Sequence, residues 1–138
     1  MRIDKEIIHQ IYGSEADQQE VDSRFAALMS YYRKCFNASP GEQVLLFSSP
    51  GRTELGGNHT DHNHGRVLAA SIHLDTIGAA APREDNQVVL ISEGYPEVHV
   101  DITSTDYHPE EEGPTEALVR GIADYFRSSG VTLKGFQA

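Results

Sequence analysis

The chain has 138 residues, a formal net charge of −10 and 38% apolar residues, which suits one soluble domain with a modest core. Its acidity argues against nucleic acid and against an anionic membrane surface, since both need clustered Lys and Arg. No apolar run approaches the roughly 20 residues of a membrane span. The first ten residues lack a secretory pattern, and the single cysteine, Cys35, allows neither an intrachain disulfide nor a cysteine-based zinc site. These features favour the cytoplasm.

Asp17 to Asn37 reads as the clearest helix. Val21, Phe25, Leu28, Tyr32 and Phe36 form one apolar stripe at spacings of three and four. Asp17 and Glu20 suit a capping box at its start, and Asn37, Pro40 and Gly41 end it. Gln43 to Ser48 reads as a buried strand, and Ser49 to Gly65 as a loop rich in Gly, His and Asn. Val67 to Ile72 and Asp75 to Ala81 suit two further strands. Arg83 to Asn86 makes a turn, with Gln87 to Ser92 as the hairpin partner beyond it. Val98, Val100 and Ile102 alternate with polar residues as in a half-buried strand. Thr103 to Gly113, with Glu110, Glu111 and Glu112 in a row, reads as a solvated loop and lacks the alternating ligands of a calcium loop.

Thr115 to Ser129 reads as a second helix with Leu118, Ile122, Tyr125 and Phe126 on one apolar face, and Gly130 stands where its end is expected. Val131 to Ala138 begins a further extended segment. Strands set between two helices place the chain in the α+β class, with residues 1–138 as a single domain. Cys35 reads as packing, and His9, His73, His99 and His108 as structural or exposed.

Chemistry concentrates between Pro50 and Gly65. Gly56, Gly57 and Gly65 permit tight backbone and close ligand approach. Arg52 follows a strand that can aim a fixed positive charge. Asn58, His59 and Asp61 mix donors and acceptors as a hydroxyl-rich ligand requires. On residue types alone, three readings stay open. The loop holds a sugar with Arg52 near a transferred phosphate; His59, Asp61, His62 and His64 hold a transition metal; or the histidines merely face solvent. The metal reading suffers from spacing, because Asp61 and His62 are neighbours that would point apart in a strand.

Gly51-Arg52-Thr53-Glu54-Leu55-Gly56-Gly57-Asn58-His59-Thr60-Asp61-His62-Asn63-His64-Gly65 resembles the signature of galactokinases, Gly-Arg-x-Asn-Leu-Ile-Gly-Glu-His-Thr-Asp-Tyr-x-x-Gly. Gly51, Arg52, Leu55, Gly57, His59, Thr60, Asp61 and Gly65 match in register. Outside it, Val67-Leu68, Arg120-Gly121-Ile122, Gly130, Gly135 and Phe136 are similar to the family's pattern. The resemblance implies the N-terminal part of a GHMP-type kinase, a mixed sheet with helices packed on one side (ribosomal protein S5 domain 2-like). It implies ATP and Mg2+ as cofactors of the complete enzyme, and galactose phosphorylated at its anomeric hydroxyl. Carried across by position, Arg52 is the catalytic candidate beside the reacting phosphate, and Asn58, His59 and Asp61 are the sugar-binding candidates.

Asn58 stands where the family has Glu, Glu54 where it has Asn, Gly56 where it has an apolar residue, and His62 where it has Tyr. A related sugar is therefore an alternative to galactose. No glycine- and serine-rich phosphate loop occurs, and the family's catalytic aspartate lies beyond the matching region. The expectation is an N-terminal, truncated portion of a kinase that is inactive alone and takes no cofactor by itself. Such a portion would self-associate through an exposed sheet edge. A free-standing sugar-binding or interaction module is the competing class.

Overall fold

The computed structural model describes every residue except Met1, Asn58, His59, Tyr107, His108, Glu110, Glu111, Glu112 and Pro114, and of Asp61 the backbone alone. The elements run α1 (Lys5–Tyr12), α2 (Gln18–Phe36), β1 (Leu45–Gly56), a 3-10 turn (Thr60–Asn63), β2 (Leu68–Pro82), β3 (Gln87–Leu90), β4 (Val98–Asp101), α3 (Thr115–Ser128) and β5 (Phe136–Gln137). The class is α+β with a mixed sheet. Strand order is β1-β2-β5-β3-β4. β5 runs antiparallel to β2 and parallel to β3, and β3 runs antiparallel to β4. Compactness divides the chain into two units, Met1–Ser30 with Leu46–Gly78 and Tyr31–Leu45 with Ala79–Ala138.

In the first unit α1 begins at Asp4, whose Oδ1 accepts from Glu6 N at 2.7 Å, and ends at Gly13 with φ 88°. This helix is absent from the sequence reading, although Asp4 before Ile7, Ile8 and Ile11 is its start signal. Asp17 caps α2 as expected, its Oδ1 accepting from Gln19 N at 2.7 Å and Glu20 N at 3.2 Å. The core gathers Ile8, Val21 and Phe25, with Tyr12, Leu28, Leu46 and Ile77 packed around them. Burial of the Ile8, Val21 and Phe25 side chains contributes on the order of 1.5–3 kcal/mol each.

Two strand expectations change. β1 continues through Pro50 and Gly51 to Gly56, because the neighbouring β2 supplies hydrogen-bond partners that outweigh their turn propensity. Leu68–Pro82 form one long strand in place of two.

In the second unit β2 and β3 are not a hairpin, since β5 lies between them. Gly135 makes the insertion possible. Its N donates to Asp85 O at 2.8 Å and its O accepts from Arg83 N at 2.9 Å, and a Cβ there would strike the backbone of Gln87 and Asp85. Val88, Val100, Ile102 and Ala123 form the core, with Leu90, Val98, Val119 and Leu133 packed against it. α3 thus buries Val119 and Ala123, while the expected apolar face stands outward: Leu118 is 64% exposed and Tyr125 71%. The small Ala123 lets the helix approach the β4 end closely, and arginines fix it there. Arg120 Nη1 donates to Asp101 O at 2.7 Å, Arg127 Nη1 to Thr103 O at 2.9 Å, and Arg127 Nη2 to Ile102 O.

Gly130, φ 82°, ends α3 as expected. Gly130 N donates to Arg127 O at 2.9 Å and Val131 N to Phe126 O at 3.0 Å, the paired bonds of a Schellman motif. Cys35 is half-buried on α2. The reading of Glu110, Glu111 and Glu112 as a solvated loop, like that of His108, lies outside the described residues. Among the described residues no helix is long and apolar enough to cross a membrane.

Candidate functional site

The loop singled out by sequence is a closed turn at the end of β1. Gly57 has φ 101°, and a Cβ there would lie 2.8 Å from Val67 Cα and strike Arg66 O. Only glycine satisfies both demands. Gly57 O accepts from Thr60 N at 3.0 Å, opening the 3-10 turn Thr60–Asn63. The turn closes where Thr60 O accepts from Gly65 N at 2.7 Å and where Thr60 Oγ1 donates to Arg66 O at 3.2 Å. His64 carries the reversal at φ 60°. A Cβ on Gly65 would sit 2.5 Å from Thr60 Cβ and 2.6 Å from Thr60 O, so close packing requires glycine there. Gly57, Thr60 and Gly65 are the turn's construction.

Arg52 lies on β1 with its side chain exposed, so it is part of a strand and not of the loop. Asp61 stands in the 3-10 turn; its side chain, with Asn58 and His59, lies outside the described residues. The structure thus brings Arg52 and the Asp61 backbone onto two ends of one strand-and-turn segment. Among the described residues no three His, Cys, Asp or Glu side chains are placed to hold a metal. His59 and the Asp61 carboxylate of the metal alternative fall outside that set. Two shallow hollows in the first unit lie beside Lys5 and His9 and beside Gln18 and Asp22, away from the turn.

A polar centre that the sequence reading missed lies on the neighbouring strand β2. Asp75 on β2, with a side chain only 7% exposed, accepts three hydrogen bonds. Tyr12 Oη and Ser48 Oγ donate to its Oδ2 at 2.6 and 2.7 Å, and Arg24 Nη2 donates to its Oδ1 at 2.6 Å. Burial alone would raise the Asp75 carboxyl. The Tyr12, Ser48 and Arg24 hydrogen bonds and the Arg24 charge outweigh it and hold the pKa at about 2. Burial, then the hydrogen bond to the carboxylate, push the Tyr12 hydroxyl up. The available signal was parity: Asp75 shares its strand face with Ile77, Ala79 and Ala81, of which Ala79 and Ala81 are buried.

Comparison with known proteins agrees with the signature. The family model described as the galactokinase galactose-binding signature matches residues 30–82. Galactokinase from Lactococcus lactis subsp. cremoris (strain MG1363) is 39% identical over 98 residues, covering 70% of this chain and 25% of that protein. Galactokinase from Homo sapiens is 33% identical over 127 residues, covering 88% of this chain and 31% of that protein. Among solved structures, Lactococcus lactis galactokinase complexed with galactose superposes with a TM-score of 0.68 at 33% identity, covering 82% of this chain and 29% of that one. The chain spans about a quarter to a third of the length of these relatives. In sequence and in fold it corresponds to the N-terminal region of the galactokinase family.

Proposed function

We propose that the chain is the sugar-recognition portion of an ATP-dependent galactokinase-like kinase, taking galactose or a related sugar. The observation that carries this reading is the closed turn from Gly57 to Arg66, built from the signature's own Gly57, Thr60 and Gly65 directly after the strand that bears Arg52. On this reading Asp61 accepts from sugar hydroxyls, while His59 and Asn58 orient them. Arg52 offsets the charge that develops as a phosphoryl group moves. In the whole kinase the transferred group is the terminal phosphoryl of ATP and the acceptor is the sugar's anomeric hydroxyl.

ATP and Mg2+ are assigned to the whole kinase only. The sequence offers no glycine- and serine-rich phosphate loop. The chain by itself binds sugar without phosphorylating it. We read residues 1–138 as one domain, because α2 and β2 each contribute residues to both compact units, and we place it in the cytoplasm. Phe47 exposed on the edge strand β1, and Ile122, Tyr125 and Phe126 exposed on α3, support self-association of the chain. Analytical ultracentrifugation tests that last point, and a monomer at 100-fold varied concentration would sink it.

The test of the main reading is a backbone-amide NMR titration from Arg52 to Gly65 with galactose and, separately, with zinc. Saturable shifts with galactose and none with zinc are expected. Tight zinc binding without any galactose response would replace the sugar loop by the histidine-centred alternative.

A further inference from the structure

Among the described residues β1 lies at one edge of the sheet, next to β2. Its side chains hold it weakly. Leu46, Ser48 and Gly51 are half-buried, and every residue from Arg52 to Gly56 is exposed. A strand exposed on both faces specifies its register poorly, because a slip by two residues keeps each side chain on its own face. The closed turn ties the end of β1 to Arg66 and Val67, but the strand before it needs an anchor of its own to fix where Arg52 stands. Leu46 reaches the core, and the Gly51 Cβ position lies 3.2 Å from Ile72 Cδ1, but apolar contacts tolerate sliding.

The third contact does not. Asp75 Oδ2 accepts from Ser48 Oγ at 2.7 Å across the two strands. A two-residue slip would present Leu46 or Pro50 to Asp75 instead, and neither side chain donates a hydrogen bond. The buried carboxylate would then lose a donor, at a cost well above that of a neutral hydrogen bond. A carboxylate that merely tied the helices to the sheet would need only Tyr12 from α1 and Arg24 from α2. Ser48 is the donor that reads strand position.

We infer that Asp75 is a positioning residue for the sugar loop: through Ser48 it locks the register of β1 on β2 and so sets where Arg52 and the turn from Gly57 stand. The register lock stands on geometry alone, and only its effect on affinity rests on the sugar-binding reading above.

The experiment uses the full chain carrying Ser48→Ala and Ser48→Thr, compared by NMR with the parent. The readouts are the contact between Gly51 Hα and the Ile72 δ-methyl, the number of resonance sets from Gly51 to Gly56, and galactose affinity. Ser48→Ala is expected to split or broaden those resonances, weaken the Gly51–Ile72 contact and weaken galactose binding about tenfold, the effect of one charge-assisted hydrogen bond. Ser48→Thr, which keeps the hydroxyl, is expected to restore all three. A single unbroadened set with the full contact in Ser48→Ala would overturn the lock, and splitting that leaves galactose affinity unchanged would overturn the positioning role. If the parent itself ignores galactose, the sugar-binding reading fails, while the contact and the splitting still decide the lock.

Discussion

Gly65 N donates to Thr60 O at 2.7 Å, and the same approach would leave a Cβ on Gly65 only 2.5 Å from Thr60 Cβ. Both sides of the clash are fixed, one by the hydrogen bond and the other by the branched threonine. Gly65→Ala is therefore expected to open the turn and to cost on the order of 1–3 kcal/mol. Amide shifts should be confined to residues 57–67, with both cores intact. Gly130→Ala makes the contrast, since no atom lies within 4 Å of its Cβ position. It should cost only about 1 kcal/mol for its positive φ, without touching the turn.

Asp75 gives the fold a pH dependence with a definite sign. Its pKa is about 2 in the folded chain, against 3.8 for the free group. A depressed carboxylate contributes stability that is fully present above the unfolded value and is lost as pH falls through the folded one. The difference corresponds to about 2 kcal/mol at neutral pH. Asp75→Asn removes this contribution and leaves the Arg24 guanidinium without its counter-charge. Urea unfolding should show the parent ahead of the variant at pH 7, with the gap shrinking between about pH 4 and pH 2. A gap independent of pH would show that Tyr12 and Arg24 hold position 75 by shape alone.

Which face of α3 is buried can be decided by two substitutions. Ala123 is 6% exposed, with Val88, Val100 and Ile102 in its core cluster, whereas Leu118 is 64% exposed. Ala123→Leu overpacks that core and should destabilise by about 1–3 kcal/mol. Leu118→Glu should fall within about 0.5 kcal/mol of the parent. Periodicity alone ranks them the other way round, so thermal melts of the two proteins separate the alternatives.

That contrast shows what periodicity conveys and what it leaves out. α2 was legible because Val21, Phe25 and Tyr32 make its buried stripe and Asp17 marks its start. α3 was legible as a helix but not in its orientation, because the large side chains of its stripe stand outward and a small alanine makes the contact. The hairpin from β2 to β3 was misread because the strand between them comes from Phe136 and Gln137, some fifty residues away in sequence. The turn after β1 was legible because its glycines and threonine act within ten residues of one another. The Asp75 centre was not, since its donors lie 63, 51 and 27 residues away, and no local pattern records such a meeting.

The roles proposed for Arg52 and Asp61 differ in what each should do to sugar binding. Arg52 is exposed on β1, and its proposed partner is the transferred phosphate and not the sugar. Arg52→Ala should therefore leave both thermal stability and galactose affinity within about threefold of the parent. Asp61 is proposed to accept from sugar hydroxyls, so Asp61→Asn replaces a charged acceptor by a neutral group and should weaken galactose at least about tenfold. The same isothermal titration on both variants separates the roles. Equal loss in the two would mean that Arg52 contacts the sugar itself, and no loss in Asp61→Asn would remove Asp61 from the sugar site.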